Sequence, residues 1–220
     1  MKNIINLLLF QNRKGENNAR YFFITDGVMW RRDEQRLVAY QLKGGSKGNW
    51  QYEQQKLEGM EECSELSVDE TGLITLSTKK GVEMIAPMKQ VPTDQAFRAL
   101  SVPSNDVVFS LPAKAISKQL SIFQRKIMRE KKDLNASVLV LDLENGTISI
   151  EGMQEIKKIE MKIAKKGHTT IIRYSYAFFK DLFINASVFN EEIICAVQAP
   201  YYTVATYDEQ TFSILMHKKE

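Results

Sequence analysis

Between Pro112 and Lys132 the chain carries one helical period with both faces specified. Successive helix residues rotate by about 100°, so Ile116, Leu120, Phe123 and Ile127 gather in a narrow apolar stripe. Lys114, Lys118, Arg125, Arg129 and Lys132 fall in a stripe roughly 60° wide on the opposite side. A helix so divided is stable only when its apolar side is covered, and the flanks predict what covers it. Val107–Leu111 before it reads as a strand, and Pro112 suits a first helical turn. After it, the apolar β-branched runs Val138–Leu143 and Thr147–Ile150 surround Asn145-Gly146, a strong hairpin cue. The segment therefore predicts a helix backed by antiparallel sheet, with its cations turned outward.

The rest of the second half continues in strands. Ile159, Met161 and Ile163 alternate with Glu160 and Lys162 as in a half-exposed strand, and Thr169–Tyr174 is another. Ser175–Phe183 reads as a short aromatic helix, and Ile193–Gln198, Tyr202–Thr206 and Phe212–Met216 as closing strands. In the first half, Tyr21–Met29 and Leu37–Leu42 predict strands joined by a charged turn around Arg31–Glu34, with Asp26-Gly27 as a turn rather than part of a phosphate loop. Lys43–Asn49 is a loop, and Trp50–Glu62 predicts a helix. Leu66–Val68 and Leu73–Leu76 flank Asp69–Gly72 as a hairpin, closed by Val82–Ile85. Residues 91–106, with Pro92 and Pro103, read as a connector, giving domains at 1–90 and 107–220. The length of 220 residues accommodates two domains of roughly a hundred residues each.

With 30 Lys and Arg against 27 Asp and Glu, the net charge of +3 creates no whole-molecule field, so any nucleic-acid argument must be local. Cys63 and Cys195 lack metal-type spacing and suit a reducing compartment. The apolar stretch Ile4–Phe10 is too short to cross a bilayer and has no cleavage signal, so neither export nor membrane anchoring is expected. His168 and His217 have no partners at metal or triad spacing, so no metal or cofactor is expected. Glu61, Glu62 and Glu65 read as a solvated face, with a magnesium cluster as the alternative. Tyr174, Tyr176, Phe178, Phe179 and Phe183 read as core rather than a base-stacking platform. The cationic stripe offers non-specific, salt-dependent phosphate contacts; a merely solvated face and a membrane-surface helix are the competing readings.

The segments FSLPAKAISKQLSIFQRK, LVLDLENGTISIEG and IIRYSYAFFKDLF resemble the strand-helix, hairpin and second strand-helix steps of a sliding-clamp domain. EEIICAVQAPYYTVATYDEQTFSILM is similar to the final strands of bacterial clamps, and ELSVDETGLITLSTKKGVEMIAP to the end of a phage clamp's first domain. Length and central connector look most like the two-domain T-even phage and proliferating-cell clamps. The resemblance implies an α+β fold of two clamp-type domains, antiparallel sheets backed by helices, and no catalysis. It further implies a ring-forming homotrimer in the cytoplasm of a bacterium or phage-infected cell, encircling duplex DNA and serving a DNA polymerase and a clamp loader. Lys114, Lys118, Arg125, Arg129 and Lys132 would touch phosphates; Val102, Tyr201, Ile214, Leu215 and Met216 would hold a partner's apolar peptide, unless they are only a last core strand and a linker residue. A clamp-fold nucleic-acid-binding module that forms no ring and a metal-dependent nuclease remain the alternatives.

Overall fold

Period-two burial dominates the chain, which is described by a computed structural model over Ile5, Leu8 and residues 20–33, 35–44, 48–58, 63, 65–90, 106–198 and 201–218. The expected connector and residues 59–62 lie outside the described residues except for Asp106. The chain divides into two units, Met1–Val102 with Gln210–Phe212, and Pro103–Glu209 with Ser213–Glu220. The fold is α+β, mostly antiparallel sheet with few helices.

In the first unit, β1 (Tyr21–Thr25), β2 (Val28–Arg32), β3 (Arg36–Gln41), β4 (Asn49–Glu53), β5 (Glu65–Val68), β6 (Ile74–Thr78), β7 (Gly81–Ile85) and β8 (Lys89–Gln90) follow one another. They pair as β3-β2-β1-β4-β8 and β5-β6-β7. Tyr21–Met29 is not one strand. Thr25 faces Val28 across a two-residue loop in which Asp26 and Gly27 take φ of 46° and 79°, the left-handed pair that a tight hairpin demands. The next turn begins later than the charges at Arg31 and Arg32 suggest: β2 runs through both, and Asp33 Oδ1 accepts the N–H groups of Gln35 and Arg36. Arg31 is fully buried and donates to the carbonyl of Leu8.

Over its described residues, 50–58, the helix expected at Trp50–Glu62 is replaced by β4 and a single 3₁₀ turn, Gln54–Leu57. Tyr52 stacks on Phe22 across the β1–β4 pair, with centroids 4.8 Å apart and planes at 10°, and donates to the Gly72 carbonyl at 2.5 Å. The Trp50 ring lies against Gly72, where a Cβ would come within 2.6 Å of it. Aromatic burial across a strand pair outweighs helix propensities of a few tenths of a kcal/mol per residue, which is why Gln and Glu did not decide the outcome.

In the second unit, β9 (Val107–Pro112) leads into α1 (Ala113–Arg129), then β10 (Val138–Asp142), β11 (Thr147–Ile150), β12 (Ile156–Lys158), β13 (Lys162–Lys165), β14 (Ile171–Ser175), α2 (Tyr176–Phe183), β15 (Glu192–Gln198), β16 (Tyr202–Thr206) and β17 (Thr211–Met216). The strands pair as β13-β9-β15-β16-β17 and as β12-β11-β10-β14. The alternating run Ile159–Ile163 is therefore not a single strand. β12 hydrogen-bonds to β11 and β13 to β9, so the chain must leave one sheet before entering the other, and Ile159 turns inward with its N–H on the Gly146 carbonyl at 2.8 Å. Tyr174, Tyr176, Phe178, Phe179 and Phe183 are all buried; Phe179 and Phe183 stack at 4.1 Å, and Tyr176 donates to the Leu120 carbonyl at 2.6 Å, tying α2 to α1.

Asp106 precedes β9 and accepts the N–H groups of His168 at 3.0 Å and Thr169 at 2.8 Å. The Thr169 hydrogen bonds and the His168 N–H hold its carboxyl down at about 2. A depressed carboxyl contributes stability that is present above its unfolded pKa and lost as pH falls through the folded one. Asp106→Asn should therefore unfold at lower urea concentration than the wild type at pH 7, with the two midpoints converging as pH falls from about 4 to about 2. A gap independent of pH would show that the carboxylate charge is not what holds this loop.

Candidate nucleic-acid interface

α1 is held to the unit by Ile116, Leu120, Phe123 and Ile127, each with no solvent exposure. Burying such side chains contributes roughly 1.5–3 kcal/mol apiece, enough to fix the helix's rotation about its axis. The opposite side is thereby committed to solvent, and Lys114, Lys118, Arg125 and Arg129 are exposed along it. Lys126 and Arg129 in the last turn also complement the negative end of the helix dipole.

Lys132 does not belong to the helix. Lys131 takes φ of 54°; its N–H reaches the Met128 carbonyl at 3.1 Å and the Lys132 N–H reaches the Ile127 carbonyl at 3.1 Å, a Schellman termination. The left-handed residue throws Lys132 off the stripe, and its ammonium instead meets Glu130 at 2.9 Å and the Gly152 carbonyl at 3.3 Å. A side chain in that backbone conformation is strained, so Lys131→Gly is expected to stabilise the protein by about 1 kcal/mol. The urea midpoint checks it; an unchanged or lower midpoint would contradict the strain.

Sequence reasoning passed over Glu155. It pairs with Lys126 at 2.9 Å and Lys157 at 2.8 Å, and the hydrogen bond from Lys126, with that from Lys157, holds its carboxyl down at about 2. Ile122, Arg125, Lys126, Arg129, Glu130 and Glu155 line an open groove of about 580 Å³ beside the helix. Two carboxylates therefore border the cations, limiting the positive field to the outer stripe. No local sequence pattern joins Glu155 to a helix that ended at Arg129; only the β11–β12 hairpin brings it there.

At the carboxy-terminal strand, alternation separates the expected pocket residues. Leu215 is 2% exposed and belongs to the core, whereas Ile214 is half-buried and Met216 exposed on the other face. Tyr201 is exposed, and its carbonyl accepts the N–H of His217, just beyond this strand, at 2.8 Å. Val102 lies outside the described residues. His217 Nε2 lies 2.8 Å from Thr203 Oγ1, which meets the buried Tyr174 hydroxyl at 2.6 Å, and His168 is held through its backbone at Asp106. Burial raises the pKa of the Cys195 thiol and the Tyr174 hydroxyl, which keeps both neutral. Among the described residues no three His, Cys, Asp or Glu side chains form a metal-holding group; of the acidic run, Glu65 is exposed on β5, and Glu61 and Glu62 lie outside those residues. No described helix is long and apolar enough to cross a membrane.

No protein-family model and no curated protein matches the sequence. Solved structures do. A β sliding clamp from Caulobacter crescentus superposes over 100% of this chain with a TM-score of 0.70 at 11% identity, using 64% of its own length. A DNA polymerase sliding clamp from Bacillus subtilis matches 100% of the chain at a TM-score of 0.66 and 14% identity, over 62% of its length. One from Pseudomonas aeruginosa does so at 0.65 and 9%, over 65%. The chain thus spans less than two thirds of these clamps. They are bacterial, whereas the sequence resemblance pointed to the T-even phage layout. At such identities it is the fold that is shared: this chain has the fold of a DNA sliding clamp.

Proposed function

We propose that the protein is a non-enzymatic sliding clamp that encircles duplex DNA and tethers a DNA polymerase, placed on DNA by a clamp loader. Its two clamp-type domains, 1–90 and 107–220, flank the connector 91–106, and three copies close a ring in the cytoplasm of a bacterial or phage-infected cell. The observation that carries this reading is the exposed row Lys114, Lys118, Arg125 and Arg129, mounted by a fully buried opposite stripe on a clamp fold. Such a row meets phosphates without reading bases, so it allows sliding. Lys132 is left out of the contact set because it leaves the helix. Val102, Tyr201, Ile214 and Met216 hold the partner's apolar peptide, and the flexible, exposed Met216 suits an adaptable groove; Leu215 supports that groove from the core.

A clamp-fold module that binds DNA without encircling it is the second reading. It is favoured by one observation: among the described residues the first unit presents no helix comparable to α1. Topology separates the two. Incubated with a nicked circular duplex and washed in high salt, an encircling protein stays on the circle and is shed when the DNA is linearised. Equal loss from circle and line would leave only the non-encircling module.

A further inference from the structure

Glu155 sits where the flank of α1 meets the turn between β11 and β12, and each of its carboxylate oxygens holds one ammonium. Oε2 meets Lys126 at 2.9 Å and Oε1 meets Lys157 at 2.8 Å. Neither lysine belongs to the outward row. Lys126 lies about 60° around the helix from Arg129, lines the groove, and is half-buried where Arg125 and Arg129 are exposed. Lys157 stands on β12 opposite the fully buried Ile148. The carboxylate is anchored from both sides: the Met153 N–H is on the Ile150 carbonyl at 3.0 Å, and Ile156 pairs with Ser149. The hydrogen bonds from Lys126 and then Lys157 hold its carboxyl down at about 2, so it is ionised at neutral pH. The groove's other carboxylate, Glu130, is paired with Lys132, which has left the row.

A duplex laid along Lys114, Lys118, Arg125 and Arg129 brings phosphates to the mouth of this groove, where phosphate and carboxylate compete for the same ammonium. Lys126 has the flexible four-carbon stem to swing across. Doing so costs Glu155 one of its two partners and leaves its charge within a Debye length, about 8 Å at physiological salt, of a polyanion. Taking α1 as the phosphate face proposed above, we infer that Glu155 withholds Lys126 from the phosphates and thereby sets how tightly that face grips DNA. Glu155 is a positioning residue, since it acts on Lys126 and not on the duplex. Lys157 shares the carboxylate and keeps it neutralised, so the device is an anchored acid between two bases rather than a lone repelling charge. Four phosphate contacts remain, a grip that releases and re-forms as sliding requires.

A double-mutant cycle on the full chain, read by fluorescence anisotropy with a short duplex across a salt series, tests it. Lys126→Ala alone should leave the slope of log affinity on log salt at the wild-type value of about −3.6, because Lys126 makes no contact to lose and Lys157 still answers Glu155. Glu155→Gln should steepen the slope by about 0.9, to about −4.5, and raise affinity on the order of tenfold near 100 mM salt. Adding Lys126→Ala to Glu155→Gln should return the slope to about −3.6. A gain in affinity that survives Lys126→Ala comes from relieved repulsion alone and overturns the release of Lys126, as does an unchanged slope in Glu155→Gln. A slope that Lys126→Ala already flattens in the presence of Glu155 places Lys126 on the phosphates from the outset and overturns it too. A wild-type affinity that ignores salt, or a slope that ignores Lys118→Glu with Arg125→Glu, overturns instead the reading of α1 as the DNA face.

Discussion

Phe123→Ala is expected to destabilise the protein by about 3–5 kcal/mol, a loss of roughly 10 °C in melting temperature. Phe123 has no solvent exposure and lies centrally in the stripe that holds α1, between Leu120 and Ile127. Truncating it removes apolar contact and leaves a cavity that a helix fixed at Ile116 and Ile127 cannot close by shifting. Because the same stripe sets the direction of the cations, DNA affinity should fall together with stability. Lys118→Ala on the opposite face should leave the stability within about 0.5 kcal/mol of wild type. A Phe123→Ala protein that melts normally would show that α1 is not held as described.

Reversing two cations gives the largest expected effect on binding. A face making phosphate contacts through Lys114, Lys118, Arg125 and Arg129 has a slope of log affinity on log salt near −0.9 for each contact, or about −3.6 for these four residues. Such a face loses affinity by roughly 10² between 50 and 200 mM salt. Lys118→Glu with Arg125→Glu leaves two contacts, so the slope should flatten to about −1.8 or less, and repulsion should lower affinity by at least tenfold. Both side chains are exposed, so the fold should be retained. Fluorescence anisotropy with a short duplex across a salt series reads both numbers; an unchanged slope would move the phosphate contacts away from α1.

The second unit was largely legible in the sequence because its strongest signal is local: Ile116 to Ile127 and Lys114 to Arg129 specify two faces of one helix. What was illegible depends on neighbours far along the chain. Trp50 and Tyr52 lie among helix formers, and only Phe22 and Gly72 reveal that they belong to a strand. The alternation of Ile159, Met161 and Ile163 is a true period of two, but the demands of two separate sheets interrupt it. Lys131 ends α1 without the glycine that would have announced the stop, so Lys132 was placed one turn too far along the stripe. The core side chain Leu215 could have been distinguished from Ile214 and Met216 by strand alternation alone, which the sequence reading did not apply to the pocket.

Encirclement requires several copies, so molecular mass in solution at concentrations well above the expected dissociation constant is the most direct measurement. The account predicts a single species of three chains, with heavier forms absent because a closed head-to-tail ring leaves no subunit interface unpaired. A strict monomer at every concentration would contradict it.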